Sequence, residues 1–267
     1  MSPRREIVPS PHHARGVMPN AAASEAVRGG DFLFVSGLIA IDPQSGMRMP
    51  GTTAGETRQI LTNLKQLLER AGSSLDKILK VNVLLHSMLE APNMNEVYVQ
   101  FFPDPPPART VCGARLSDGV KVMIECTALT GPMSSGLVRT AIAPKNPLLN
   151  ASRAGNLPHV PGIRVGDYIF LSGMVPVDPQ TGERSHGPIA EQVRITLSNM
   201  QHMLESAGSS LERVVRVHVV LADIAHMAEM DRVYREFFPI DPPARMVWSM
   251  QLRFGNGCEI ECVALAA

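Results

Sequence analysis

The side chains best suited to chemistry in this chain are two arginines and one glutamate. Arg109 and Arg245 each end a Pro-Pro-Ala-Arg segment, and a planar guanidinium group can hold a carboxylate through two parallel hydrogen bonds. Glu259 belongs to a Glu-Ile-Glu segment, and a carboxyl group can carry a proton to or from a reacting molecule. Residue type alone leaves other roles open, because an arginine can also pair with a surface acid and a strand glutamate can be solvated.

The chain contains an internal repeat, and the two arginines occupy equivalent positions in its two copies. An eleven-residue segment beginning Ser-Gly starts at Ser36, and a close copy starts at Ser172. The difference between these two positions, 136 residues, also separates the two arginines. The copies therefore align without a gap. Residues that they share indicate the fold, and residues that differ indicate where the functions separated.

The two copies differ at the acid. The position equivalent to Glu259 is Met123, and a thioether cannot relay a proton. Glu125 and Glu261 occur in both copies, which favours a structural role for them. We therefore expect the first copy to keep its arginine but to lack the proton carrier.

Composition and charge exclude several classes of protein. The chain has 267 residues, of which 25 are basic and 25 acidic, whereas a nucleic-acid-binding protein usually carries a basic surplus. No apolar run approaches the roughly 20 residues of a membrane helix, and no apolar core follows the basic N-terminal stretch, so we expect no secretory signal. The cysteines lack a regular paired spacing, which favours reduced thiols in a cytoplasmic protein; they are Cys112, Cys126, Cys258 and Cys262.

The periodicity of apolar residues predicts two α+β domains, residues 16–131 and 150–267, joined by a linker at residues 132–149. In each copy, β-branched apolar runs predict strands, and apolar residues at helical spacing predict one long and one short helix. The predicted order is strand–strand–helix–strand–helix–strand–strand, which gives one sheet with two helices on one face. The other face keeps apolar residues, so we expect it to be covered in a homo-oligomer.

The repeated segments resemble the Rid family, the reactive intermediate deaminases that are also called the YjgF family. The resemblance rests on Phe-Val-Ser-Gly and Phe-Leu-Ser-Gly at strand ends, a Gly-Ser-Ser-Leu turn, a Val-Tyr-x-x-Phe-Phe helix, Pro-Pro-Ala-Arg, and a closing Ile-Glu-Cys-x-Ala strand. These motifs occur twice and in the same order, so the resemblance covers most of the chain.

The resemblance implies a chorismate-mutase-like fold and trimers in which three sheets meet as a barrel, with active sites in clefts between subunits. Many members hydrolyse enamines or imines of small amino-acid-derived carboxylates to ammonia and a keto acid, without a metal or an organic cofactor. A chain with two fused copies would supply two quasi-equivalent units. Three such chains would form either two separate rings of three units or mixed rings that contain both kinds of unit.

The resemblance also implies roles for particular residues. The arginine of Pro-Pro-Ala-Arg, which is Arg109 or Arg245 here, would hold the substrate carboxylate. Glu259 would position water or move protons at the substrate nitrogen. Family members commonly place a tyrosine after Gly-Pro near the start of the domain, and His159 takes that place in the second copy. This histidine could act as a base near neutral pH, or it could be a surface residue.

Other side chains are candidates for the walls of the site. Trp248 is the only tryptophan, and its alternative role is in a core or an interface. Asn95 and Asp231 lie at the start of the short helix, which lies near the site in the family. The Ser-Gly pairs could bind a substrate or simply turn the chain; they are Ser36, Gly37, Ser172 and Gly173. Metal, dinucleotide and phosphate-loop motifs do not occur in the sequence, so we predict no metal and no cofactor.

The leading hypothesis is a hydrolase of the Rid type that deaminates a small enamine, imine or unsaturated amino carboxylate in aromatic-amine or amino-acid catabolism. Hydrolysis of an amide or ring C–N bond by the same residues is a related alternative. The competing class is a non-catalytic module that binds small carboxylates, because a fold does not fix a function. The expected partners are a small carboxylate and further copies of the chain, with neither nucleic acid nor a membrane.

Overall fold

The computed structural model describes residues 5–8, 23–102, 104–117, 119–130, 136–150 and 157–267. Contacts divide the chain into two compact units. The first consists of residues 1–107 and 113–137, and the second of residues 108–112 and 138–267. Five residues that belong to the first repeat by sequence therefore belong to the second unit by contact.

The first sheet has six strands in the order β1-β2-β3-β6-β4-β5. Two helices, α1 (Thr53–Arg70) and α2 (Ala91–Tyr98), interrupt the strands. The strands are β1 (Arg5–Ile7), β2 (Ala26–Gly29), β3 (Phe32–Leu38), β4 (Ile78–Leu85), β5 (Ala108–Gly113) and β6 (Val122–Leu129).

Helix α1 shows how the sequence pattern becomes structure. Its apolar stripe, which includes Ile60, Leu64 and Leu68, is fully buried, as an amphipathic helix on a sheet requires. The side chain of Thr52 accepts a backbone N–H of the first turn, which is the usual N-terminal cap. Gly72 follows the last turn with a φ of 71°, so a residue without Cβ ends the helix.

The second sheet also has six strands, in the order β11-β10-β12-β9-β8-β7. Its helices are α3 (Ile189–Ser206) and α4 (Met227–Phe237). Strand β11 runs parallel to β10, and the other pairs are antiparallel. The strands are β7 (Arg139–Ala141), β8 (Gly162–Val165), β9 (Tyr168–Leu171), β10 (Val214–Leu221), β11 (Ala244–Ser249) and β12 (Cys258–Leu265).

The two faces of this second sheet carry different residues. Val217, Val219 and Ile260 belong to the core that includes the buried residues of α3 and α4. Because side chains alternate along a strand, Glu259 and Glu261 lie on the face away from the helices. The predicted α+β fold, with one sheet and two helices on one of its faces in each repeat, is confirmed.

The structure also differs from the predicted order of elements. The stretch 132–149, expected to be a plain linker, contains β7, which pairs with β8 through Arg139 and Val165. Each sheet therefore has one more strand at its start than the pattern predicted. A strand of three residues is too short to show alternation, which explains why the periodicity missed it. No helix in the described ranges is long and apolar enough to cross a membrane.

Replacing Gly72 by alanine should lower the free energy of unfolding by about 1 kcal/mol, because a Cβ atom is disfavoured at its positive φ. An added Cβ would meet no atom within 4 Å, so the effect comes from the backbone alone. Gly51 is the matched control, since it has the same open space but no positive φ. Urea unfolding measures both variants, and equal midpoints for Gly72→Ala and Gly51→Ala would contradict the assignment.

Candidate functional site

The central feature of the second unit is the hydroxyl group of Ser172. Its Oγ donates a hydrogen bond to the carbonyl of Val160 at 2.5 Å and accepts one from the backbone N–H of Arg109 at 2.8 Å. The next N–H, that of Gly173, donates to the carbonyl of Arg109 at 3.1 Å. Ala108 forms a parallel bridge with Val160. The start of β5 is therefore fixed along the Ser-Gly turn that follows β9.

Glu259 lies against the same turn. A Cβ atom at Gly173 would overlap the carboxyl oxygen Oε1 of Glu259, so only glycine leaves room for this carboxyl group. Glu259 is 8% exposed and Arg109 is 5% exposed. The turn at Gly173 thus has a buried carboxyl group packed against it and the backbone of a buried arginine hydrogen-bonded to it.

A small cavity opens beside this turn. It is lined by Ser172, Gly173 and His159, together with apolar residues such as Met174 and Val175. His159, Ser172 and Gly173 were each predicted separately from the sequence, and the structure brings them to one cavity wall. Its lining combines a few polar groups with apolar side chains, as the sites of small molecules do.

Asn199 of α3 also lines the cavity, and the sequence pattern did not single it out. Its Nδ2 donates to the carbonyl of Val177 at 2.7 Å, while its Oδ1 is buried and receives no hydrogen bond from any described residue. In the first unit, the equivalent Asn63 accepts a hydrogen bond from Gln59 at 2.9 Å. In the second repeat, Ile195 occupies the position of that glutamine. The change from Gln59 to Ile195 is therefore the sequence difference that could have pointed to Asn199.

Glu261 holds a second part of β5. It accepts a hydrogen bond from the hydroxyl of Thr110, and its other oxygen lies 2.9 Å from Nδ1 of His218. The ring of His218 meets the ring of Trp248 at 5.1 Å in an edge-on arrangement. Trp248 therefore lies on the sheet face that carries Glu259 and Glu261. Thr110 was missed because a threonine in a strand gives no functional signal.

Arg245 has a different environment. Its Nη1 lies 2.6 Å from Oδ1 of Asp231, and its guanidinium group lies 4.5 Å from the centre of the Tyr234 ring on α4. Arg245 is in register with Val217, whose side chain faces the helices. Within this unit, Arg245 and Glu259 are thus on opposite faces of the sheet, and the structure does not bring the predicted pair together. Asp231, a predicted wall residue, instead pairs with Arg245.

The first unit repeats the framework with different side chains. Ser36 Oγ donates to the carbonyl of Ser24 at 2.7 Å, as Ser172 does to its equivalent carbonyl. A Cβ atom at Gly37 would lie 2.7 Å from Sδ of Met123, so Met123 takes the place that Glu259 has in the second unit. Asn95, the equivalent of Asp231, lies on α2.

The cysteine beside Glu259 is not suited to nucleophilic chemistry. Burial raises the pKa of the Cys258 thiol to about 12, although a contact with Thr196 acts in the opposite direction. A thiol with such a pKa is protonated at neutral pH, and the thiolate is the reactive form. Burial also raises the pKa of Cys126. None of the four cysteines, all within the described ranges, forms a disulfide.

Comparison with known proteins agrees with this two-part framework. The family profile described as Endoribonuclease L-PSP matches residues 15–130 and again residues 151–266. A RutC family protein of Pyrococcus horikoshii is 41% identical over 111 residues, which make up 41% of this chain and 88% of that protein. A bovine protein named 2-iminobutanoate/2-iminopropanoate deaminase is 36% identical over 113 residues, or 42% of this chain and 82% of that protein.

Solved structures also match about half of this chain. The crystal structure of the YjgF gene product from E. coli is 30% identical and covers 48% of this chain and 99% of its own, with a TM-score of 0.44. Because the family profile matches each half of the chain, the prediction of a tandem Rid protein is confirmed. The chain belongs to the Endoribonuclease L-PSP family, which is the Rid or YjgF family of the sequence resemblance, and it contains the family's domain twice.

Proposed function

We propose that this protein is a hydrolase that deaminates the imine or enamine of a small carboxylate, at a site in its second unit. The family supports this reaction class, and the bovine relative is named for it. The family's description as an endoribonuclease is not carried over to this chain. Binding to a phosphate backbone depends on basic residues, and here basic and acidic residues are equal in number.

One observation carries the proposal: the buried carboxyl group of Glu259 lies against Gly173, whose N–H donates to the backbone carbonyl of the buried Arg109. Arg109 is therefore the better candidate for the carboxylate clamp than Arg245. Arg245 lies on the opposite face of the sheet from Glu259, where it pairs with Asp231.

The reaction needs a group that moves protons, and Glu259 supplies it. In imine hydrolysis, the oxygen of water forms a bond to the imine carbon while Glu259 accepts a proton from that water. The carboxyl group then returns the proton to the nitrogen. Glu259 next accepts the proton of the new hydroxyl group and passes it to the amine nitrogen, so that the C–N bond breaks, ammonia leaves, and the carbon becomes the carbonyl of a keto acid. An enamine enters the same route after a proton is added at its carbon. His159, on the adjacent cavity wall, is the candidate for a second proton carrier.

The first unit has a separate role in this proposal. Met123 occupies the place of the acid beside Gly37, so the unit has no carboxyl group for proton transfer there. This favours an architectural role, or binding of a carboxylate without turnover, for the first unit. A homo-oligomeric, trimeric assembly and a cytoplasmic location remain parts of the proposal that rest on the family resemblance and the sequence.

Replacing Glu259 by glutamine should lower kcat for imine hydrolysis by about 10²- to 10⁴-fold, because the amide keeps the shape but cannot accept the proton. The assay follows ammonia and keto acid formed from 2-aminoacrylate generated in solution, corrected for the spontaneous reaction. Met123→Ala is the matched control in the other repeat and should keep full activity. Full activity in Glu259→Gln would overturn the assignment of the proton carrier.

The two arginines can be separated by the same assay. Arg109→Ala should raise KM for a carboxylate substrate at least about tenfold, as expected for the loss of a charged hydrogen bond. Arg245→Ala should instead lower the stability of the second unit by removing the partner of Asp231 while changing KM little. The opposite result, a large KM effect only in Arg245→Ala, would show that Arg245 holds the substrate.

Gly173→Ala should abolish most activity without unfolding the chain, because its Cβ atom would displace the carboxyl group of Glu259. Gly37→Ala is the matched change in the first repeat, where the contact is with the flexible end of Met123. Circular dichroism establishes folding, and the deamination assay gives kcat. Equal activities for the two glycine variants would argue against a site at Gly173.

A further inference from the structure

A second group of functional side chains surrounds Phe254, in the loop before β12. Phe254 has a φ of 59°, in the left-handed region where a bulky residue is uncommon. The residue is nevertheless 49% exposed, so burial of its side chain does not compensate fully for the strained backbone. Strain of this kind is often associated with a functional site.

Two guanidinium groups contact this ring. The central carbon of Arg184 lies 4.2 Å from the ring centre, and that of Arg253 lies 4.5 Å from it. Because both distances end at the same ring centre, the two guanidinium carbons lie within about 9 Å of each other. Contact with an aromatic ring stabilises a single cation, but two cations on one ring also repel each other.

The charge of the pair is not balanced within the described part of the chain. Neither Arg184 nor Arg253 forms an ion pair with a described residue, and Nε of Arg184 is buried without a hydrogen-bond acceptor. Burial, and secondly the charge of Arg253, lower the pKa of Arg184; burial also lowers the pKa of Arg253. The folded chain thus holds two positive groups where a negative one would be stabilised.

The first repeat offers a direct comparison. Arg48 is the equivalent of Arg184, but Ser117 and Asp118 stand where the second repeat has Arg253 and Phe254. The loops have the same length, and the glycine that follows has a positive φ in both, 73° at Gly119 and 71° at Gly255. Asp118 lies outside the described residues. The second repeat therefore has the cation Arg253 where the first has the neutral Ser117, and the aromatic Phe254 where the first has the acid Asp118.

We infer that Arg184, Phe254 and Arg253 form a binding site for a small dianion whose charge lies on oxygen atoms, either a phosphate group or a dicarboxylate. Each guanidinium group presents paired N–H donors that match two oxygens of such a ligand. Phe254 holds the two arginines near each other, and the dianion neutralises both charges. None of these three residues lines the cavity beside Gly173, and the inference does not rest on the proposed deamination.

The test is calorimetric titration of the full chain with inorganic phosphate and, separately, with succinate at low ionic strength. The double variant Arg253→Ser with Phe254→Asp restores the residues of the first repeat. We expect it to bind the preferred dianion at least about tenfold more weakly than the wild type. Whichever of the two anions binds more tightly identifies the ligand chemistry. Arg48→Ala, the matched change in the first repeat, should leave the affinity unchanged.

A second measurement separates a binding role from a packing role. Phe254→Asp alone should raise the midpoint of thermal unfolding, because aspartate tolerates the left-handed conformation better than phenylalanine, while it weakens binding of the dianion. Absence of binding by the wild type, equal affinities for the wild type and the double variant, or an equal loss in Arg48→Ala would each overturn the site.

Discussion

The candidate site depends on the two hydrogen bonds of one hydroxyl group. Ser172 donates to the carbonyl of Val160 and accepts the N–H of Arg109, so three separate chain segments meet at a single oxygen atom. The turn that continues into Gly173 leaves room for the carboxyl group of Glu259 only because glycine has no Cβ. A buried carboxyl group is costly unless its surroundings stabilise it, and this arrangement keeps it beside the arginine-bearing strand.

The two repeats show how one framework can carry different chemistry. The bond from the serine hydroxyl to the neighbouring carbonyl occurs in both, at Ser36 and at Ser172. The side chain packed against the following glycine is a thioether, Met123, in one unit and the carboxyl group of Glu259 in the other. The pairing just after the glycine is kept, Leu38 with Ile124 and Met174 with Ile260, although the serine and glycine lie within β3 in the first unit and after the end of β9 in the second. Function can therefore differ between repeats while the fold stays the same.

Much of the fold follows from local patterns in the sequence, whereas the composition of the site does not. The long helices α1 and α3 were predictable, as were the glycines that follow them, Gly72 and Gly208, which both have a φ of 71°, because helical spacing and the need for a positive φ are local properties. The choice between Arg109 and Arg245 was not, since both end the same four-residue motif. It depends on which strand pairs with the turn at Ser172, and such pairing joins residues far apart in the chain. The strained backbone of Phe254 likewise has no signature in a single sequence.

The grouping of residues 108–112 with the second unit has a consequence for how the chain can be divided. The boundary between the repeats, drawn from sequence, does not coincide with the boundary of the candidate site. A fragment that begins after the connector would retain Glu259 and Ser172 but would lose the arginine bound to that serine. The fusion of the two copies thus guarantees that every molecule carries both components in a fixed one-to-one ratio, which two independent polypeptides would have to achieve through their concentrations.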